Sequence, residues 1–197
     1  KVVKDLYAGG TSGAVMNAYE TQNNTTFTAK TNAYILGGSV RNVYGGGWKG
    51  SVGKHVGDIS ASSNTDIDGE TNVVVGIRKE YASNFANYGF YCGVPTIERN
   101  VYSGGEGGAV YGTANLTINN GYIGYEHVDA EPPTLTDLTY VKDGSDYYQE
   151  KLHDESWSDD THPKGTPNYR LEDCGNVYGG GYDDNSNVDN SYVTVWG

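Results

Sequence analysis

Hydrophobic and polar residues alternate in short runs along this chain, and no long segment repeats its apolar positions at the 3.6-residue period of a helix. In Gly108–Gly124, Leu116 and Ile118 fall on one face while Asn115, Thr117 and Asn119 fall on the other, the mark of a half-buried strand. Thr71–Ile77 and Ser191–Val195 alternate in the same way. Gly pairs and an Asn-Gly step separate the runs and predict tight corners with positive φ.

A repeat underlies these runs. The pattern apolar-Tyr-x-Gly-Gly occurs at Leu6–Gly10, Val43–Gly47, Val101–Gly105 and Val177–Gly181, and in the last three copies Asn42, Asn100 and Asn176 precede the valine. The segment Val101–Tyr125, 25 residues long, reads as the uninterrupted unit, and the other copies carry insertions of different size. So short a unit cannot bury its own apolar face and has to stack on the next. The prediction is all-β: a right-handed parallel β-helix or β-solenoid of about four rungs with long loop insertions. We expect 1–197 to be one such fragment of a larger protein.

Two insertions stand apart in composition. Residues 126–173 hold thirteen acidic against four basic residues and four of the five prolines, and we read them as an acidic protrusion. Residues 79–99 carry Tyr81, Phe85, Tyr88, Phe90 and Tyr91, a smaller aromatic insertion expected to fold back on the rungs. Over all 197 residues the net charge is −12, which repels polyanions and excludes nucleic acid as a partner. No stretch is apolar enough to span a membrane as a helix. Calcium, a cationic surface or an uncharged glycan remain open.

The 18 tyrosines are the most informative candidates. If Val43, Val101 and Val177 point into a core, strand alternation turns Tyr44, Tyr102 and Tyr178 outward, where stacked rungs align them as an exposed aromatic ladder. Such a ladder suits sugar rings or a protein partner, with Trp48 and Tyr182 beside it; the other reading is that ladder stacking simply stabilises the fold. Asp183, Asp184, Asn185 and Asp189 form an oxygen-rich loop that could hold calcium or be a solvated Asx-turn loop. Asn64–Gly69 opens like a calcium loop, but Val75 stands where a bidentate Glu is needed, so a plain turn is expected. His127, His153 and His162 lack zinc-motif spacing, and His55 is isolated. Cys92 and Cys174 each precede a glycine at the exit of an insertion; a disulfide and two thiols are both open. No nucleophile elbow, phosphate loop or dinucleotide fingerprint is present.

The Asn-Val-Tyr-Gly-Gly-Gly segments at 42–47 and 176–181, with the variant at 100–105, resemble the Gly-rich repeats of adhesin-like β-solenoid surface proteins of gut bacteria. The resemblance covers about 1–125 and 174–197 and implies an extracellular or cell-surface location and a fibre or adhesive role. It brings no catalytic residues and does not extend to 126–173. The expected function is a non-enzymatic module of a bacterial adhesin or fibre that binds glycan or host protein and neighbours other repeats. The alternatives are a carbohydrate-active β-helix, lyase or hydrolase, with a site among the acidic loops, and a structural spacer.

Overall fold

A computed structural model describes residues 4–16, 28–54, 67–78, 80–81, 93–128, 140–143, 146–150, 153–154 and 172–196. The chain is all-β, and three of its sheets are parallel. The first contains β1 (Leu6–Tyr7), β4 (Val43–Tyr44), β7 (Val101–Tyr102) and β15 (Val177–Tyr178). The second contains β2 (Ala29–Ile35), β5 (Gly69–Val75), β8 (Val110–Ile118) and β16 (Val188–Val195), and the third β3 (Ser39–Val40), β6 (Thr96–Ile97) and β9 (Tyr122–Ile123). Each sheet receives its strands from successive passes of the chain, an arrangement compatible with a β-solenoid. The expected single unit, Val101–Tyr125, contributes one strand to each of the three.

The four copies of the signature are in register: Leu6 pairs with Val43, Val43 with Val101, and Val101 with Val177. The Leu6 amide donates to the Asn42 carbonyl (2.9 Å), Val43 to Asn100 (3.1 Å) and Val101 to Asn176 (3.0 Å). The asparagines before the valines add side-chain links, since Asn42 Oδ1 accepts from the Asn100 amide and Asn100 Oδ1 from the Asn176 amide (3.2 and 2.9 Å). The first copy departs from the pattern with Asp5 at this position, which accepts from Asn42 Nδ2 (2.9 Å) and Arg41 Nε (2.8 Å). Burial pushes the Asp5 carboxyl up, but those hydrogen bonds and the charges of Arg41 and Arg99 outweigh it and leave it below its ordinary range.

Strand alternation builds the core between the sheets. Ala33, Val73 and Leu116 form one inward column, and Ile35, Val75 and Ile118 another, packed on Val40, Val43, Ile97 and Val101. The last pass presents Val193 and Val195 at the same inward positions, 44% and 65% exposed. A smaller core joins Val52, Val110 and Ala29, with Val15 and Val188 stacked at its two ends. Polar residues facing inward are satisfied across sheets: the hydroxyls of Thr31 and Thr71 donate to the Gly45 and Ser103 carbonyls (2.5 and 2.6 Å), and Ser103 Oγ donates to Gly179 (2.7 Å).

The signature glycines serve a purpose other than the positive-φ corners expected of them. None has φ in the left-handed region, which is used instead at positions such as Gly124 and at Gly121 of the Asn-Gly step. What they provide is close approach. A Cβ on Gly9 would stand 2.6 Å from the Gly47 nitrogen, on Gly46 2.8 Å from Gly105, and on Gly104 2.8 Å from Gly181.

The insertions also differ from expectation. The aromatic insertion read at 79–99 ends before Thr96, because Thr96 and Ile97 are buried and pair with β3 and β9. Tyr81 is described, whereas Phe85, Tyr88, Phe90 and Tyr91 lie outside the described residues. Within the acidic segment, β10 (Tyr125–Val128), β11 (Tyr140–Asp143) and β12 (Asp146–Glu150) form an antiparallel sheet, and β13 (His153–Asp154) pairs with β14 (Glu172–Asp173). Tyr148 of β12 is buried and stacks at 4.3 Å on Tyr122 of β9, which anchors this sheet to the parallel body.

The same signature position offers a matched test of close approach. Gly104→Ala is expected to lose about 1–3 kcal/mol by forcing backbone apart. Gly180→Ala, with nothing within 4 Å of its Cβ, is expected to change stability by less than about 0.5 kcal/mol. Denaturant unfolding of both variants measures the difference, and equal losses would contradict the assignment.

Candidate functional site

The signature tyrosines do form a ladder. Tyr7, Tyr44, Tyr102 and Tyr178 stack face to face with ring centroids 4.8, 4.9 and 4.7 Å apart and planes within 6°. The expected exposure of this ladder is corrected by the structure: Tyr44 and Tyr102 are each 3% exposed, and only Tyr178, on the last pass, is open at 41%. The reason lies in the chain just after the third glycine, which folds back over the rings. Tyr182 sets its ring edge-on to Tyr102 at 5.6 Å, and the Glu106 carboxylate accepts a hydrogen bond from the Tyr7 hydroxyl. Buried rings stacked on both faces have no face left for a sugar. Trp48 and Tyr182 are half exposed, and Lys49 Nζ lies 4.7 Å from the Trp48 ring centroid.

The oxygen-rich loop is built as a turn. Asp183 Oδ1 accepts from the Asn185 amide (2.7 Å), while Ser186 Oγ accepts from the Asp183 amide (2.8 Å) and donates to the Asp183 carbonyl (2.6 Å). Asp184, Asn185 and Asp189 are exposed around it. Among the described residues no three His, Cys, Asp or Glu side chains converge on a metal-sized site. The ring of His127 meets Tyr148 edge-on at 5.6 Å; His153 lies in β13, and His55 and His162 lie outside the described residues. Cys174 is half-buried after β14, whereas Cys92, and with it the question of a bridge, lies outside the described residues. Asn64–Asp66 of the calcium-like opening also lie outside them, and Gly69 begins β5.

A different surface gathers exposed aromatic area. Alternation along Ala29–Ile35 buries Ala29, Thr31, Ala33 and Ile35 and turns Lys30, Asn32 and Tyr34 outward. Asn32, Asn72 and Asn115 continue across three strands as a hydrogen-bonded outer row, Asn115 Nδ2 donating to Asn72 Oδ1 (3.1 Å) and Asn72 Nδ2 to Asn32 Oδ1 (3.2 Å). Hydrogen bonds from Lys30 and Asn72 hold the Glu70 carboxyl beside this row below its ordinary range. At the end of the face, Tyr34, Leu36, Val74, Ile77, Arg78 and Tyr81 line a groove of about 520 Å³, within the usual range for a small-molecule site. Tyr34 is 63% exposed and Tyr81 49%.

The groove has a rigid floor. Asn119 Nδ2 donates to the Gly76 carbonyl (3.1 Å) and Asn120 Nδ2 to Ile77 (3.0 Å), fixing the segment that carries Arg78. The Arg78 guanidinium carbon sits 3.5 Å from the centroid of the Trp196 ring, and the Trp196 amide donates to Ile118 (2.9 Å). None of these groove residues was singled out as a ligand contact from the sequence. The alternation of Ala-Lys-Thr-Asn-Ala-Tyr-Ile was the available signal for Tyr34.

No helix among the described residues is long and apolar enough to cross a membrane. Comparisons of the chain with protein-family models, curated proteins and solved structures return no match.

Burial first, and then the nearby Glu106 carboxylate, push the Tyr7 and Tyr44 phenols up from their ordinary value of 10.0. A phenol whose native value is raised contributes stability that is whole below pH about 10 and is lost as pH rises beyond it. In an alkaline titration followed by tyrosinate absorbance and circular dichroism, Tyr7 and Tyr44 are expected to ionise only together with unfolding. Complete ionisation with the β-sheet signal intact would contradict the buried ladder.

Proposed function

We propose that the chain is a right-handed parallel β-solenoid of about four rungs and a non-enzymatic module of a bacterial cell-surface or secreted adhesin or fibre. It binds glycan through the aromatic groove on its outer sheet face. The handedness follows the general rule for parallel crossover connections. The location follows the resemblance of the signature to adhesin-like repeats.

The observation that carries the binding reading is the groove itself. Tyr34 stands on β2, paired in register with β5, so its ring is offered from a support that does not have to be ordered on binding, and the exposed Tyr81 lines the same groove. Flat aromatic area with a hydroxyl at the rim suits the mixed apolar and polar surface of a sugar ring. The fibre part draws on the last rung. Val193 and Val195 present inward-facing apolar surface there, and Tyr178 an open ring face, at positions that the next rung covers everywhere else in the stack. A rung of the same kind fits them, which agrees with neighbouring repeats as partners.

A glycan array probed with the wild-type chain and with the Tyr34→Ala/Tyr81→Ala double variant tests the binding site. Binding is expected to weaken by tenfold or more in the double variant and to be unchanged in Tyr178→Ala. A folded double variant that binds like wild type would overturn the assignment.

A further inference from the structure

We infer that the groove selects acidic sugars, uronic-acid-type rings whose carboxylate docks on Arg78. The inference rests on the groove being a glycan site and adds the class of glycan. Arg78 is the cation among the described lining residues, in a chain whose net charge is −12. A carboxylated polymer is repelled by most of such a surface, so a local cation beside stacking rings has to provide the attraction.

The way Arg78 is held favours a carboxylate over a diffuse anion. Its guanidinium lies over the Trp196 ring at 3.5 Å, an interaction that uses the face of the cation and none of its N–H donors. Stacking fixes the plane of the fork, and a planar fork matches a carboxylate bidentately. The protein's own anion there, Glu80, reaches Arg78 Nη1 at only 3.5 Å, with a side chain 59% exposed. An exposed pair of that length contributes little and yields readily to a competitor. Tyr34 and Tyr81 line the same groove, so one ligand can place a ring on an aromatic face and its acid group on the guanidinium.

The experiment is a calorimetric titration of an oligouronate and of its carboxyl-reduced, neutral counterpart into wild type, Arg78→Gln and Arg78→Lys. Each variant is first checked by thermal melting. Wild type is expected to bind the acidic oligomer at least tenfold more tightly than the neutral one. Arg78→Gln is expected to bind the two oligomers with affinities within about twofold of each other, and Arg78→Lys keeps the charge but recovers only part of the preference, because it lacks the fork. Equal affinity of wild type for the two oligomers, or a preference undiminished in Arg78→Gln, would overturn the acidic-sugar inference and leave the groove reading standing. Absence of binding to both oligomers, with the wild-type chain also silent on every arrayed glycan, would remove the groove reading with it. If Arg78→Gln melts early for want of its stack on Trp196, the Arg78→Lys comparison decides, and a full wild-type preference in it counts against bidentate docking.

Discussion

Successive passes of this chain lie within 5 Å of one another, and that spacing is possible only where side chains are missing at particular places. The tyrosine rings repeat at 4.7–4.9 Å, the strand-to-strand distance of a sheet. Backbone hydrogen bonds set that distance along the strands. At the Gly-Gly segment that follows each tyrosine, however, one pass runs directly over the next, and a methyl group on Gly46 or Gly104 would enter the backbone of the neighbour. The glycines let the tyrosines stack, the stacked tyrosines cover the strands, and the valines beside them close the core. A unit of this size has no other source of buried apolar area.

Much of this was legible beforehand. The signature apolar-Tyr-x-Gly-Gly marks four equivalent positions, and these are paired in register; the alternation around Leu116 and Ile118 marks the inward face of β8. Period and spacing do not say what covers a residue, however. Tyr44 faces away from the valine core as strand alternation requires, yet it is buried: its ring is stacked between those of Tyr7 and Tyr102, which Glu106 and Tyr182, each just past a copy of the signature, meet in turn. The same gap hid the purpose of the glycines: composition shows that a position is small, and only the neighbour in space shows whether φ or room is the reason. Thr96 and Ile97 were misread as insertion since a two-residue strand has no periodicity to detect.

With the ladder buried, the proposed recognition falls to another face. The aromatic column that holds the passes together offers an open ring face only at Tyr178, whereas the exposed tyrosines of the groove have no repeat role: Tyr34 at the rim of the outer face and Tyr81 at the start of an insertion. Tyr34 pairs with Val74, and Val74 with Thr117, so no aromatic neighbour stacks on it from the adjacent strand. The repeats thus supply a stiff support, and the departures from the repeat supply chemistry. Arg78 and Trp196 belong to the second group, one just after β5 and the other just after β16, brought together by the stacking of two passes far apart in sequence.

A double-mutant cycle on Tyr44 and Tyr102 tests most directly the claim that the passes hold each other through aligned identical residues. Unfolding free energies of Tyr44→Leu, Tyr102→Leu and the double variant yield the coupling between the two rings. Face-to-face stacking in a buried column predicts a favourable coupling of about 0.5–1.5 kcal/mol. Losses that add to within about 0.3 kcal/mol would contradict it, since independent sites are the ones whose effects sum.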